Sequence, residues 1–234
     1  GIKSMQVDKD KMSSEGLVIP VSKVDENTVK ALTFVDCGKV LPSFELAIRD
    51  DDGGDLPDNQ CGRICLRGPS VMTGYFQNPA ATEESLSSDG WLDTGDIGYR
   101  IGENIIVTAR RKDVIIVNGR NIWPHDLEYL AETLPGVRFG NVSAFSFSDE
   151  KGSDQVVIVV ESREKNPAKI RTLVSELSAL MTENFGIVCH IDLVPPRTLP
   201  RTSSGKLSRS KAKQDFLARL EIFNGSTQVA GGNG

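Results

Sequence analysis

The sequence predicts a mixed α+β protein, with an antiparallel β-barrel or meander in its first half and a small α+β domain in its second. Three observations lead there. The first half carries short apolar–polar alternations separated by Gly- and Asp-rich turns, which is how antiparallel strands with one buried face read. The second half mixes continuous apolar runs with stretches of helical periodicity. A charged cluster, Arg110-Arg111-Lys112-Asp113, separates the two textures. The domains are therefore placed at residues 1–111 and 112–223, with a disordered tail at 224–234.

Taken in order, residues 1–30 are polar and rich in Lys and Asp, and read as extended or loop. Period-two strands follow at 33–37, 44–48 and 63–67, with the turn Asp50-Asp51-Asp52-Gly53-Gly54 between the last two. Asn78-Pro79 followed by Glu83-Glu84 opens a short helix, because proline suits the first turn and acids favour the N-terminal dipole. Strands at 97–101 and 105–108 flank the turn Gly102-Glu103-Asn104. Beyond the charged cluster, 114–117 is an apolar strand and Asn118-Gly119 a hairpin turn. A helix is expected at 124–133, strands at 142–147 and 155–161, and a helix at 167–184. That last helix carries Ile170, Leu173, Val174, Leu177, Leu180 and Met181 on one stripe and stops at Gly186. A strand at 187–194 and a short basic helix at 208–220 complete the series.

Composition narrows the function. With 38% hydrophobic and 25% charged residues among 234, this is the make-up of an ordinary globular chain. No apolar run approaches the ~20 residues that span a bilayer, so no membrane span is expected. The opening Gly1-Ile2-Lys3-Ser4 has no initiator Met and reads as cut from something longer. Cys37, Cys61, Cys65 and Cys189 do not have metal-site spacing, and with only His125 and His190 beside them they read as buried free thiols of a cytoplasmic protein.

Three polar sites carry chemistry. Thr202-Ser203-Ser204-Gly205-Lys206 puts a lysine on a small, hydroxyl-rich loop able to swing an ammonium towards an anion. It is not a P-loop, since Pro200 and Leu207 stand where that motif needs Gly and Ser/Thr. Trp91-Leu92-Asp93-Thr94-Gly95-Asp96 sets a carboxylate after a Thr-Gly turn, and the charged cluster is the third. A carboxylate can accept both hydroxyls of a ribose diol, a guanidinium forks onto ribose or phosphate oxygens, and a lysine can neutralise charge developing on phosphorus. Blander readings stand beside these: Asp96 as a turn cap, Arg110 as a surface ion pair, Arg120 as hairpin-surface charge. Arg197, Arg201, Lys206, Arg209, Lys211, Lys213 and Arg219 face a lone Asp215, which suits a phosphate-bearing or acidic partner. With Phe216 alone for stacking and a net charge of -5, nucleic acid is not the expected partner.

These motifs, in this order, resemble the adenylate-forming superfamily of acyl-CoA synthetases, fatty acyl-AMP ligases and nonribosomal adenylation domains. The resemblance runs through Gly62-Arg63-Ile64-Cys65-Leu66-Arg67-Gly68-Pro69-Ser70-Val71-Met72-Thr73-Gly74-Tyr75, then Gly90-Trp91-Leu92-Asp93-Thr94-Gly95-Asp96. It continues at Thr108-Ala109-Arg110-Arg111-Lys112-Asp113-Val114-Ile115-Ile116, Gly119-Arg120-Asn121-Ile122-Trp123-Pro124 and Pro200-Arg201-Thr202-Ser203-Ser204-Gly205-Lys206. The wording at 119–124, with Lys112-Asp113, looks most like the C-terminal part of a fatty acyl-AMP ligase.

The resemblance implies roles. Asp96 would bind the ribose hydroxyls of ATP and acyl-AMP, and Arg110 ribose or phosphate oxygens. Lys112 would be the hinge of a mobile C-terminal lid, Arg120 an acceptor or phosphate contact, and Lys206 the catalytic lysine. The implied reaction joins a fatty acid and ATP, with Mg2+, to give acyl-AMP and pyrophosphate. The acyl group then passes to an acyl carrier protein thiol or, in the synthetases, to CoA. A rival reading is a non-catalytic basic module docking on an acidic carrier protein or a nucleic acid. Ala109 departs from the family's usual Gly and is expected to tighten a turn. The family's phosphate loop and its Mg2+-placing acid are not among these motifs, so these 234 residues are expected not to adenylate alone.

Overall fold

The computed structural model describes residues 3–21, 31–149 and 152–230, and of 222–230 the backbone only. It is an α+β structure whose contacts fall into two compact units. The first holds residues 1–114 with 119–121, and the second 115–118 with 122–234.

The first unit is built on six antiparallel strands: β1 (Ser4–Asp8), β2 (Ala31–Lys39), β3 (Glu45–Arg49), β4 (Gly62–Arg67), β5 (Leu92–Ile101) and β6 (Asn104–Arg110). Their order is β1-β2-β6-β5-β4-β3. Among the described residues β1 and β3 do not pair with one another, so the expected barrel is an open sheet with two edges. Alternation places Leu32 and Phe34 of β2 inside, where Phe34 meets the fully buried Tyr99 edge-on at 6.3 Å. Burial holds the Tyr99 phenol far above its ordinary pKa. The reading of residues 1–30 as extended or loop agrees with β1, which is extended and pairs with β2, but it missed α1 (Lys9–Glu15), which follows at once. The signals lay in Asp8, which accepts from the Lys11 N–H at 3.0 Å, and Gly16, which ends the helix at φ 67°. Residues 22–30 lie outside the described residues. The expected helix after Asn78 is α2 (Pro79–Ser85).

The thiols are not uniformly buried. Cys65 is buried and Cys61 partly so, but Cys37 is exposed. Burial pushes Cys61 up to about 11, which keeps it a protonated, unreactive thiol at neutral pH.

After a single 3-10 turn at Arg111–Asp113, β7 (Ile115–Val117) and β8 (Arg120–Ile122) form the expected hairpin. Asn118 and Gly119 turn it with φ of 52° and 72°, both in the left-handed region that a two-residue turn demands.

The second unit sandwiches a three-stranded sheet of β9 (Val142–Ser148), β10 (Asp154–Glu161) and β11 (Cys189–Val194) between helices. The central β10 is antiparallel to β9 and parallel to β11, and α4 (Pro167–Phe185) makes the crossover. Val156, Ile158 and Val160 face α3 (Pro124–Glu132) and α4, where Leu127, Leu173, Leu177 and Met181 close the core. Val157 and Val159 face the other way, onto Phe145, Leu199, Ala212 and Phe216 beneath α5 (Arg209–Ala230). A strand covered on both faces must be apolar at every position, which is why 156–160 reads as an unbroken run.

Two residues set the ends of α4: Asn166 accepts from the Ala168 and Lys169 N–H groups, and Gly186 closes it at φ 66°. Asn166→Ala is expected to cost about 1 kcal/mol, visible as a lower denaturation midpoint for this unit. The helix α5 continues to Ala230, through positions expected to be a disordered tail. Once a helix is nucleated, each added residue gains a hydrogen bond without a new nucleation cost. Residues 231–234 lie outside the described residues.

Candidate active site

The carboxylate of Asp96 is positioned by the turn before it. Arg63 reaches from β4 to Asp93 at 2.9 Å and also holds the Asp50 carbonyl, so both partners are only 18% exposed. The second Asp93 oxygen accepts the Gly95 N–H at 2.9 Å. The Thr94 hydroxyl donates to the Ile64 carbonyl at 2.9 Å and accepts the Asp96 N–H at 3.1 Å. Gly95 takes φ 72°, which turns the chain so that the next side chain leaves in a fixed direction. Trp91 anchors the start of the motif as a packing residue, with the guanidiniums of Arg49 and Arg67 4.6 and 4.9 Å from its ring.

Across the β5–β6 ladder Asp96 stands opposite Arg110, and the Arg110 Nε lies 3.2 Å from the Asp96 Oδ1. The guanidinium is 62% exposed and the carboxylate 30%. An ion pair this exposed contributes about 0–1 kcal/mol, so an arriving ligand can displace it cheaply. The second carboxylate oxygen and the Nη groups stay available to that ligand. Beside the pair lies a cleft of about 520 Å3 lined by Glu84, Ser85, Asp93, Gly95, Arg110, Arg111 and Lys112. Lys112 is exposed on the 3-10 turn, while Arg111 is tied to Asp51 at 2.9 Å. Ala109 sits within β6 opposite Ile97, so its methyl group tightens no turn. Arg120 opens β8 on the hairpin.

Lys206 is carried by the second unit, on a segment more ordered than a swinging loop. Arg201 and Leu207 form a bridge, the Thr202 N–H donates to the Lys206 carbonyl at 2.8 Å, and the Gly205 N–H to the Thr202 carbonyl at 2.8 Å. This is a three-residue hairpin loop with Gly205 at φ 81° in the position that needs a left-handed residue. The Lys206 side chain is exposed, and among the described residues no acceptor holds its ammonium. Asp96 and Arg110 are thus brought together in one unit, with Lys112 on the adjoining turn, and Lys206 belongs to the other.

The sequence reading counted the cations of this region but not their partners. Arg209 pairs with Glu128 through two bonds of 2.7 and 2.6 Å, Arg219 with Asp192, and Arg201 is spent on main-chain carbonyls. Three of the cations that made the segment look like a docking patch are therefore engaged within the fold, which weakens the nucleic-acid reading. Charge counting along a sequence cannot see such partners.

The AMP-binding enzyme model matches residues 15–76, and the AMP-binding enzyme C-terminal domain model matches residues 119–213. The chain belongs to the AMP-binding enzyme family. Among curated relatives, the "Putative acyl-CoA synthetase" of Caulobacter vibrioides is 42% identical over 93% of this chain and 38% of its own length. A structure from work on fatty acyl-adenylate ligases of E. coli and L. pneumophila aligns with TM-score 0.82 and 36% identity, over 95% of this chain and 39% of that one. The McyG A-PCP structure, complexed with phenylalanyl-adenylate, aligns with TM-score 0.72 and 31% identity over 86% of this chain and 36% of that one. The chain thus spans well under half the length of these relatives. No helix among the described residues is long and apolar enough to cross a membrane.

Proposed function

We propose that this chain is the ribose-holding and lysine-bearing part of an ATP-dependent fatty acyl-AMP ligase, with residues 112–223 as its mobile lid. The Asp96–Arg110 pair carries the reading. A half-buried carboxylate, aimed by a rigid turn and held by a weak, displaceable ion pair, suits the hydroxyls of a ribose. Arg110, freed from that pair, turns its fork to ribose or phosphate oxygens. Lys206 brings an unpaired ammonium to the α-phosphate, where negative charge builds as the carboxylate attacks and pyrophosphate leaves. Lys112 acts as the hinge, and Arg120 contacts the acceptor or its phosphate.

Among the described residues no group of three or more His, Cys, Asp or Glu is arranged to hold a metal ion. Mg2+ travelling with ATP is held largely by the phosphates and needs only one or two carboxylates from the protein; on this reading that acid, like the phosphate loop, is assigned outside these residues. On this reading the 234 residues alone release no pyrophosphate from ATP and fatty acid, and steady release would contradict it.

The likeness to the fatty acyl-adenylate ligase structure favours a carrier-protein thiol as acceptor, whereas the Caulobacter relative's name favours CoA. The deciding experiment gives the full-length protein ATP, Mg2+ and fatty acid with either CoA or a phosphopantetheine-bearing carrier. Thioester on the carrier alone is expected; thioester on CoA would move the protein to the synthetases.

A further inference from the structure

We propose that Arg201 and the Glu128–Arg209 pair are positioning residues that fix the backbone on both sides of Lys206 while leaving its side chain free. The inference rests on the catalytic reading of Lys206.

Ahead of the hairpin, the Leu199 N–H donates at 2.8 Å to Glu161, a carboxylate only 6% exposed at the end of the central strand. Arg201 then spreads its guanidinium. One arm donates to the Gly205 carbonyl at 3.1 Å, at the tip of the loop. The other reaches the Gly140 carbonyl and the Asn141 Oδ1, the latter at 3.3 Å, just before β9. The fork therefore ties the turn that presents Lys206 to the edge of the sheet.

Behind the hairpin, the Ser208 N–H returns to the Pro200 carbonyl at 3.0 Å, and Arg209 begins α5. Its guanidinium makes the two bonds to Glu128, whose side chain is 13% exposed. Glu128 Oε1 also accepts the Ala144 N–H of β9 at 3.0 Å. One carboxylate on α3 thus couples three elements: the strand, its own helix and the residue three places beyond Lys206. Bidentate charge-assisted bonds of this kind are both stronger and more directional than neutral ones.

The chemical consequence is a fixed base under a mobile head. A lysine has four rotatable bonds, so an ammonium on a loose backbone would sample a wide volume. Restricting the Cα to one place leaves only the side chain to be ordered in the transition state, and small misplacements of a reacting group are costly in rate. Neither lysine nor glutamine at 201 can span both sides of the hairpin, because neither supplies the planar fork.

The test pairs a motion measurement on the 234-residue chain with kinetics of the full-length protein. Arg201→Gln and Glu128→Gln are each expected to drop the NMR order parameters of Gly205 and Lys206 from about 0.85 to below about 0.6. In the full-length protein kcat for acyl-AMP formation should fall about 10- to 100-fold with KM for ATP changed little. A purely structural role would lower active enzyme without that split. If Glu128→Gln does not fold, Arg201→Gln decides, since Arg201 is exposed and its loss strands no buried charge. Unchanged order parameters, or a loosened hairpin with parental kcat, would overturn the proposal. A Lys206→Ala control separates the two levels: if it too keeps the parental rate, the lysine assignment has failed and this proposal falls with it.

Discussion

On the proposed role of Lys206, Lys206→Ala in the full-length protein is expected to reduce acyl-AMP formation about 10²–10³-fold, the size of effect that follows loss of one donor stabilising charge in a transition state. Stability should move by less than about 0.5 kcal/mol. The hairpin is held by the Lys206 main chain, through the bonds to Thr202, and by Arg201, so nothing structural depends on the ammonium. Lys206→Arg is not expected to rescue, because a planar guanidinium cannot place a compact charge at the same point. Single-turnover formation of acyl-AMP, with thermal unfolding of the same samples, is the measurement. A near-parental rate would remove Lys206 from the site.

Gly98→Ala should damage the first unit more than any surface change. Gly98 lies in β5 directly opposite Gly62 of β4, beside the irregularity that follows Ile97. A methyl group there would sit 2.2 Å from the Ile106 carbonyl oxygen and 2.8 Å from the Ile64 Cδ1. The first of those is main chain in the middle of the sheet and cannot swing aside. Overpacking of this kind costs about 3 kcal/mol. The loss of β5–β6 register would also displace Asp96 from Arg110. Denaturation of the first unit at a clearly lower midpoint is the expected result; an unchanged midpoint would show that the strand can absorb the methyl group.

Most of the strands and helices were legible because periodicity and end signals agreed, as at α4 between Asn166 and Gly186 and at the Asn118-Gly119 turn. The site motifs were legible as residues but not as geometry. The Asp96–Arg110 pairing depends on the register of β5 and β6 across their bulge, which spacing alone does not give. The open sheet was misjudged because strand count and alternation are the same in a closed and an open arrangement. α1 was missed because a lone apolar Met12 among six polar residues sets up no period, although Asp8 and Gly16 marked its ends. Glu128 and Arg209 lie far apart in sequence, and no local pattern announces a pairing of that kind.

The two tryptophans of the chain fall one to each unit, Trp91 between its guanidinium neighbours and Trp123 only 2% exposed at the start of α3. The molecule therefore carries two built-in optical probes. Replacing either indole with phenylalanine leaves a single emitter, so ultraviolet fluorescence can follow the opening or unfolding of one half of the chain without a label on the other.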